Sequence, residues 1–261
     1  MKLKIKYNRL TSGLYLVLML LLPMFSLGDN KENVLFEKGN QLYAKAQYQQ
    51  AAQTYQQILN DGYQSAVIYF NTGNAYYKLD DMASAILYYE KARKLAPNDK
   101  DININIQFAN LKIADKIEPQ PDFFVARWWH NFILVLPANI LSIISDLLFL
   151  GGFLLLIAYL FAGSLILKKA SFFTGIVAIL FGIITIFMAN RQINYFNSHH
   201  QAIIFSNSVI VKGSPDVNAK PLFVMHEGTK VDVNQKNGNW IEIELPNGNS
   251  GWITVDNVKD I

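Results

Sequence analysis

The sequence predicts a multidomain membrane protein made of all-α helical repeats, a two-helix transmembrane hairpin and a small C-terminal all-β barrel. Three observations carry that prediction. Two charge-free apolar stretches lie past the middle of the chain, a 34-residue self-similarity precedes them, and an apolar/polar alternation of period two follows them. Composition agrees, since 51% of residues are hydrophobic and only 16% charged, an apolar excess that an ordinary soluble domain does not carry. A formal charge of +3, with no basic run interleaved with aromatics beyond the first ten residues, argues against a nucleic-acid partner. The chain has no cysteine, which excludes disulfides, thiolate metal sites, a catalytic thiol and an acylated lipoprotein cysteine.

The first element is a targeting signal. Lys2, Lys4, Lys6 and Arg9 form a basic region, Leu14 to Leu22 an apolar one, and Pro23 precedes the small residues Ser26 and Gly28. Residues 1–28 are expected to be a signal peptide cut before Asp29, with an uncleaved anchor as the alternative. Either way the following segment is exported.

Residues 29–118 form the repeat domain. An offset of 34 relates Gly39 to Gly73, Tyr43 to Tyr77, Ala51 to Ala85 and Tyr55 to Tyr89. The glycines and alanines allow paired helices to approach closely. Because one such pair cannot bury its own apolar face, a helix from Asp99 to about Ile117 is expected to complete the stack through Ile102, Ile106, Ala109 and Ile113. With Tyr69, Gly73, Tyr76, Ala85, Tyr89 and Pro97 in one copy and Leu35, Gly39, Leu42, Ala51 and Tyr55 in the other, the segment resembles the tetratricopeptide repeat. The departures are Lys38 and Thr72 before the glycines and Tyr63 in place of a proline. The resemblance implies a concave groove presenting Phe36, Asn40, Tyr43 and Ala44 from the first copy and Phe70, Asn74, Tyr77 and Lys78 from the second. It also implies that Asn40 and Asn74 hydrogen-bond the backbone of a bound extended peptide, since an amide both donates and accepts.

Residues 119–146 are read as a linker and an interfacial amphipathic helix. Pro119 and Pro121 mark the linker, and Phe124, Trp128, Trp129, Phe132, Ile133 and Leu136 recur every three or four residues. Residues 147–189 are the hairpin, with spans at 147–167 and 171–189 and Lys168-Lys169-Ala170 as the connection. The two lysines place this tip in the cytoplasm and both flanking regions on the outer face. Asp146 is expected at the outer boundary of the first span. Gly175, Ala178, Gly182, Thr185 and Ala189 make a small-residue stripe on the second span, expected to pack on Gly151, Gly152, Ala158 and Ala162 of the first.

After a juxtamembrane linker at 190–200, residues 201–261 read as short strands. Val231 and Val233, then Ile241, Ile243 and Leu245, then Ile253 and Val255 alternate with polar residues, and Asn237-Gly238 and Asn247-Gly248 are turn pairs between runs. The stretch His226-Glu227-Gly228-Thr229, Trp240 and Gly251-Trp252-Ile253 resembles bacterial SH3 domains, with Ser208 to Val211 and Gly213-Ser214-Pro215 as opening strand and loop. That resemblance implies an SH3-like barrel binding peptides, or cell-wall peptides, through aromatics. Trp240 and Trp252 are the candidates, and packing within the barrel is their alternative role.

No constellation for catalysis stands out: a phosphate-cradling glycine loop, a Gly-x-Ser-x-Gly turn and a His-Glu-x-x-His pair are all missing from the sequence. His199, His200 and His226 lack metal-ligand spacing, so neither a cofactor nor a metal is expected. The expected function is therefore a non-enzymatic scaffold, with a cell-wall sensor or a motif-less hydrolase as alternatives. Taken in order, these parts resemble the tetratricopeptide/SH3 membrane protein family of the Bacteroides aerotolerance (Bat) operon. The resemblance implies residence in the bacterial cytoplasmic membrane with both soluble domains periplasmic. It implies partners of the same operon: membrane proteins with von Willebrand factor A domains, other tetratricopeptide proteins and, indirectly, a MoxR-type ATPase.

Overall fold

The computed structural model describes residues 30–261 except 119, 121 and 122, so the expected signal peptide and the linker residues Pro119 and Pro121 lie outside the described residues. Five helices form the repeat domain: α1 (Asn30–Ala44), α2 (Tyr48–Asn60), α3 (Ala66–Lys78), α4 (Met82–Leu95) and α5 (Lys100–Asn110). Side-chain caps start three of them, with Ser65 accepting from the Ile68 amide, Asp81 from Ser84, and Asp99 from Asp101 and Ile102. Between the helices of each pair the chain turns through the left-handed region at Ala46 (φ 57°) and Asp80 (φ 63°), the same repeat position twice.

Tight helix pairing follows from the glycines. A Cβ on Gly39 would stand 2.4 Å from the Tyr55 ring, and one on Gly73 2.6 Å from the Tyr89 ring. Both rings, with Ala51 and Ala85, are buried in the seams. Helix α5 lays Ile102, Ile106 and Ala109 onto α4 and so begins a third repeat. The helix expected to reach Ile117 stops at Asn110. Beyond it Ile113, Asp115 and Ile117 are drawn to the C-terminal sheet instead.

Helix α6 (Phe124–Ile133) leads to α7 (Ala138–Phe161) and α8 (Leu165–Ser198), an antiparallel pair of helices each long and apolar enough to cross a membrane. Three sequence boundaries shift here. The connection is Ala162-Gly163-Ser164, where Ser164 caps α8 by accepting from the Leu167 amide, and Lys168 and Lys169 lie within the first turns of α8. Lysine is a good helix former and does not end a helix. Helix α7 begins at Ala138, so Asp146 is its ninth residue and not its boundary. Helix α8 runs to Ser198 and takes in most of the expected juxtamembrane linker.

The α7–α8 seam is closest at Gly152 and Gly175, where a Cβ on either would come within 3.0 Å of the other's carbonyl oxygen. Ser145 donates to the Gly182 carbonyl at 2.9 Å, and Ala189 is buried. The expected stripe on α8 therefore packs within the hairpin. On α7 the facing residues are Leu141, Ser145 and Gly152, while Gly151 meets open space and Ala158 is exposed.

Seven antiparallel strands follow: β1 (Gln201–Ile204), β2 (Ser208–Lys212), β3 (Pro221–His226), β4 (Lys230–Asn237), β5 (Trp240–Glu244), β6 (Ser250–Thr254) and β7 (Val258–Asp260). Their order is β3-β2-β6-β5-β4-β1-β7, around a core that includes Ile204, Val211, Val231, Ile243 and Ile253. The expected closed barrel is not formed by hydrogen bonding. Strand β2 pairs with β6 only where Lys212 faces Trp252, and the sheet does not return from β3 to β7. The β4–β5 turn is Gly238-Asn239, one residue later than the expected Asn-Gly pair.

The sheet docks on the repeats. Ile203 of β1 is fully buried in the cluster that holds Ile86, Tyr89 and Ile106. Gly228 (φ 84°) presses the β3–β4 turn onto the same surface, leaving only 2.5 Å between its Cβ position and Ile113 Cγ2. The buried Glu90 of α4 receives Arg93 of its own helix and, at 3.0 Å, Lys230 of β4. Burial lowers the Lys230 pKa, and the Glu90 charge opposes that shift. Asp115 accepts from the His226 amide (2.7 Å) and the Thr229 hydroxyl (2.7 Å), and its other oxygen lies 2.8 Å from His226 Nδ1. Burial pushes the Asp115 carboxyl up, but these bonds outweigh it and hold it below the usual carboxylate range.

Candidate partner-binding groove

The first helices of the repeats, α1, α3 and α5, line a concave face. One hollow of about 300 Å³ is bounded by Tyr43, Asn74, Tyr77, Lys78, Asn105 and Phe108. A second of about 140 Å³ is bounded by Asn40, Tyr43, Tyr55, Asn71 and Asn74. Because Tyr43 and Asn74 belong to both, the two make one continuous groove.

A repeating three-residue joint forms its floor. The Tyr55 hydroxyl donates to Asn40 Oδ1 at 2.8 Å, and Asn71 Nδ2 reaches the same oxygen at 3.3 Å. One repeat later Tyr89 donates to Asn74 Oδ1 at 2.8 Å and Asn105 Nδ2 at 2.9 Å. The carbonyl oxygens of Asn40 and Asn74 are thus committed to the fold, and each is left with its amide N–H pair for a ligand. This corrects the expectation that both ends of those amides face the groove. Burial, reinforced by Tyr43 and Glu37, pushes the Tyr55 phenol up to about 12. Tyr89 is raised as well, first by burial, so both phenols stay protonated donors at neutral pH.

The other expected groove residues divide. Tyr43, Tyr77 and Lys78 reach the surface of the groove, and Lys112 stacks its ammonium 4.3 Å from the Tyr77 ring centre. Phe36 and Phe70 pack against the Tyr55 and Tyr89 rings at 6.2 and 5.8 Å, backing the joints. Ala44 is exposed at the end of α1. Asn71, Asn105 and Phe108 belong to the groove but were not singled out from the sequence. The 34-residue offset from Asn71 to Asn105 was the available signal.

Trp240 and Trp252 are not among the residues that line this groove. They share the outer face of β5 and β6, opposite Ile241, Ile243 and Ile253, and are half-buried. Lys212 stands 5.6 Å from the Trp240 ring centre and, from β2, pairs with Trp252 of β6. Among the described residues no three His, Asp or Glu side chains converge for a metal ion. His199 Nδ1 lies 2.8 Å from the Tyr195 carbonyl, and His226 serves Asp115.

Stacked helix pairs with a 34-residue period and a ligand-sized concave face define a helical-repeat interaction domain. Residues 66–99, which hold α3, α4 and the turn between them, match the family described as tetratricopeptide repeat. That match supports a role in protein–protein interaction. No curated protein matches the chain at a significant level.

Proposed function

We propose that the chain is a non-enzymatic scaffold, anchored by the α7–α8 hairpin in the bacterial cytoplasmic membrane. In this proposal it presents its repeat groove and its sheet on the periplasmic side. The observation that carries the proposal is the groove itself, where amide donors of Asn40 and Asn74 alternate with Tyr43 and Tyr77 along the concave face. An extended peptide suits it: backbone carbonyls accept from the two amides, and an acidic group meets Lys78. The resemblance of the whole arrangement to the Bat-operon proteins of the BatE type puts the scaffold in a Bat/MoxR-type envelope stress or aerotolerance complex. Its partners would be A-domain membrane proteins and other tetratricopeptide proteins. Crosslinking in cells, followed by purification from solubilised membranes, should recover an A-domain membrane protein, and recovery of none would refute the assignment.

Topology is tested apart from partner. In this cysteine-free chain, Gln53→Cys and Asn249→Cys should react with a membrane-impermeant thiol reagent once the outer membrane is opened, and Ala170→Cys should not. Labelling at position 170 alone would invert the arrangement.

A second reading is favoured by the outer-face pair Trp240 and Trp252 beside Lys212, an aromatic and cationic patch suited to cell-wall peptides. Binding of the purified protein to sacculi, lost in a Trp240→Ala/Trp252→Ala variant, would support it.

A further inference from the structure

Asp146 points away from the hairpin seam. It is exposed, no bond or ion pair engages it among the described residues, and the seam beside it is made by Ser145 and Gly182. It continues a polar stripe, since Asn139, Ser142 and Asp146 recur at spacings of three and four and so share one face of α7.

The seam also acts as a depth gauge for this carboxylate. On α8 the charge-free run from Ala170 to Ala189 is about 30 Å long, the thickness of the hydrocarbon. Gly182, which accepts from Ser145, lies seven residues short of Ala189, or about 10 Å inside the outer edge of that run. Asp146, the next residue after Ser145, is therefore at nearly the same depth. Moving the hairpin outward does not rescue it. The same antiparallel register brings Lys168 level with about Tyr159, so Asp146 and the lysines are separated along the axis by only about 20 Å. A slab of about 30 Å covers one or the other. Lysine reaches a headgroup along its four-carbon stem, whereas the aspartate side chain is too short to do so.

Resting on the membrane-spanning reading above, we infer that the Asn139–Ser142–Asp146 face of α7 receives a transmembrane helix of a different protein that carries a lysine or arginine at the depth of Asp146. Charge complementarity selects the occupant, because an acidic side chain facing lipid is stabilised by a basic one on a neighbouring helix. The hairpin of a second copy does not supply it. In the hairpin register Arg191 lies about 15 Å further out than Asp146, and Lys168 and Lys169 about 20 Å further in. The stripe is open because the hairpin makes its own seam from Leu141, Ser145 and Gly152.

The full chain in phospholipid bilayers is tested with a fluorescent leucine/alanine transmembrane peptide bearing one lysine about 10 Å from an interface, and with the same peptide bearing leucine there. Energy transfer should show the lysine peptide binding roughly tenfold more tightly than the leucine peptide. Asp146→Leu should abolish that preference, and Asp146→Asn should retain only part of it. Equal binding of the two peptides, or a preference that survives Asp146→Leu, overturns the inference. Thiol labelling at Ala170→Cys and Asn249→Cys in the same bilayers reports separately whether the hairpin crosses. Opposite-side labelling with no lysine preference defeats this inference alone, whereas same-side labelling defeats the spanning reading on which it rests.

Discussion

Tyr89 donates its phenol proton to Asn74 Oδ1 at 2.8 Å, a bond repeated 34 residues earlier between Tyr55 and Asn40. The groove asparagines are therefore joints of the fold as well as the ligand contacts proposed above. Replacing both with Ala leaves two buried phenols without their acceptor, at a cost of about 1–3 kcal/mol each. Asn40→Asp with Asn74→Asp keeps the accepting oxygen and removes the amide donors. The Asp pair should melt near the wild type yet lose about 0.5–1.5 kcal/mol of partner affinity per site, measured by thermal melts beside partner capture. Unchanged capture by the Asp pair would move the binding site out of the groove.

Gly39 and Gly73 are held by ring contacts and not by backbone conformation. Gly73→Ala would place a methyl 2.6 Å from the Tyr89 ring, and Gly39→Ala 2.4 Å from Tyr55. Overpacking of this kind costs about 1–3 kcal/mol. Denaturant melts of each variant should show that loss, and wild-type midpoints would mean that the rings swing aside freely.

Acid should loosen the attachment of the sheet to the repeats. The Asp115 carboxyl is held below its ordinary value of about 3.9, so its contribution is complete at neutral pH and is lost as pH falls below about 4 toward the folded-state value. Asp115→Asn should cost about 2 kcal/mol at pH 7, and the difference from wild type should shrink as the pH drops through that range. A difference that stays constant from pH 7 to pH 3 would assign the effect to packing and not to charge.

Removing Glu90 strands two cations at the same junction. Glu90→Ala leaves Lys230 and Arg93 facing each other where the carboxylate was buried, a loss of about 3 kcal/mol. Limited proteolysis of the connecting residues 111–118 should accelerate. If the cleavage rate is unaltered, the Glu90 ion pairs contribute nothing to holding the sheet in place.

Repeat geometry was legible because it is periodic: Gly39, Ala51 and Tyr55 recur 34 residues later, and each copy folds for the same local reason. The joint between Tyr89, Asn74 and Asn105 was not, since side chains 15 and 31 residues apart become partners only through the superhelical stacking of helices. Asp115 and His226 are 111 residues apart and carry no pattern at all. The hairpin tip was misread because Lys168 and Lys169 interrupt the hydropathy, whereas Gly163-Ser164 marks the turn by backbone freedom and capping. Strand alternation exposed Ile241, Ile243 and Ile253, but the single β2–β6 pairing of Lys212 with Trp252 depends on which strands meet.

The short turn between α6 and α7 is gripped from two directions. Gln192 of α8 donates to the carbonyls of Ile133 and Leu136, and Asn98, beyond α4, donates to those of Leu134 and Val135. Four successive carbonyls thus tie the hairpin to the repeat stack and set the groove's position relative to α8. If the hairpin anchors the chain in a bilayer as proposed, this sets a working height. A partner tethered in the same membrane meets the groove at a local concentration governed by the length of its own tether. Tethers too short to span that height gain nothing from confinement, and much longer ones dilute it, so selection among neighbours operates by reach before any side chain is read.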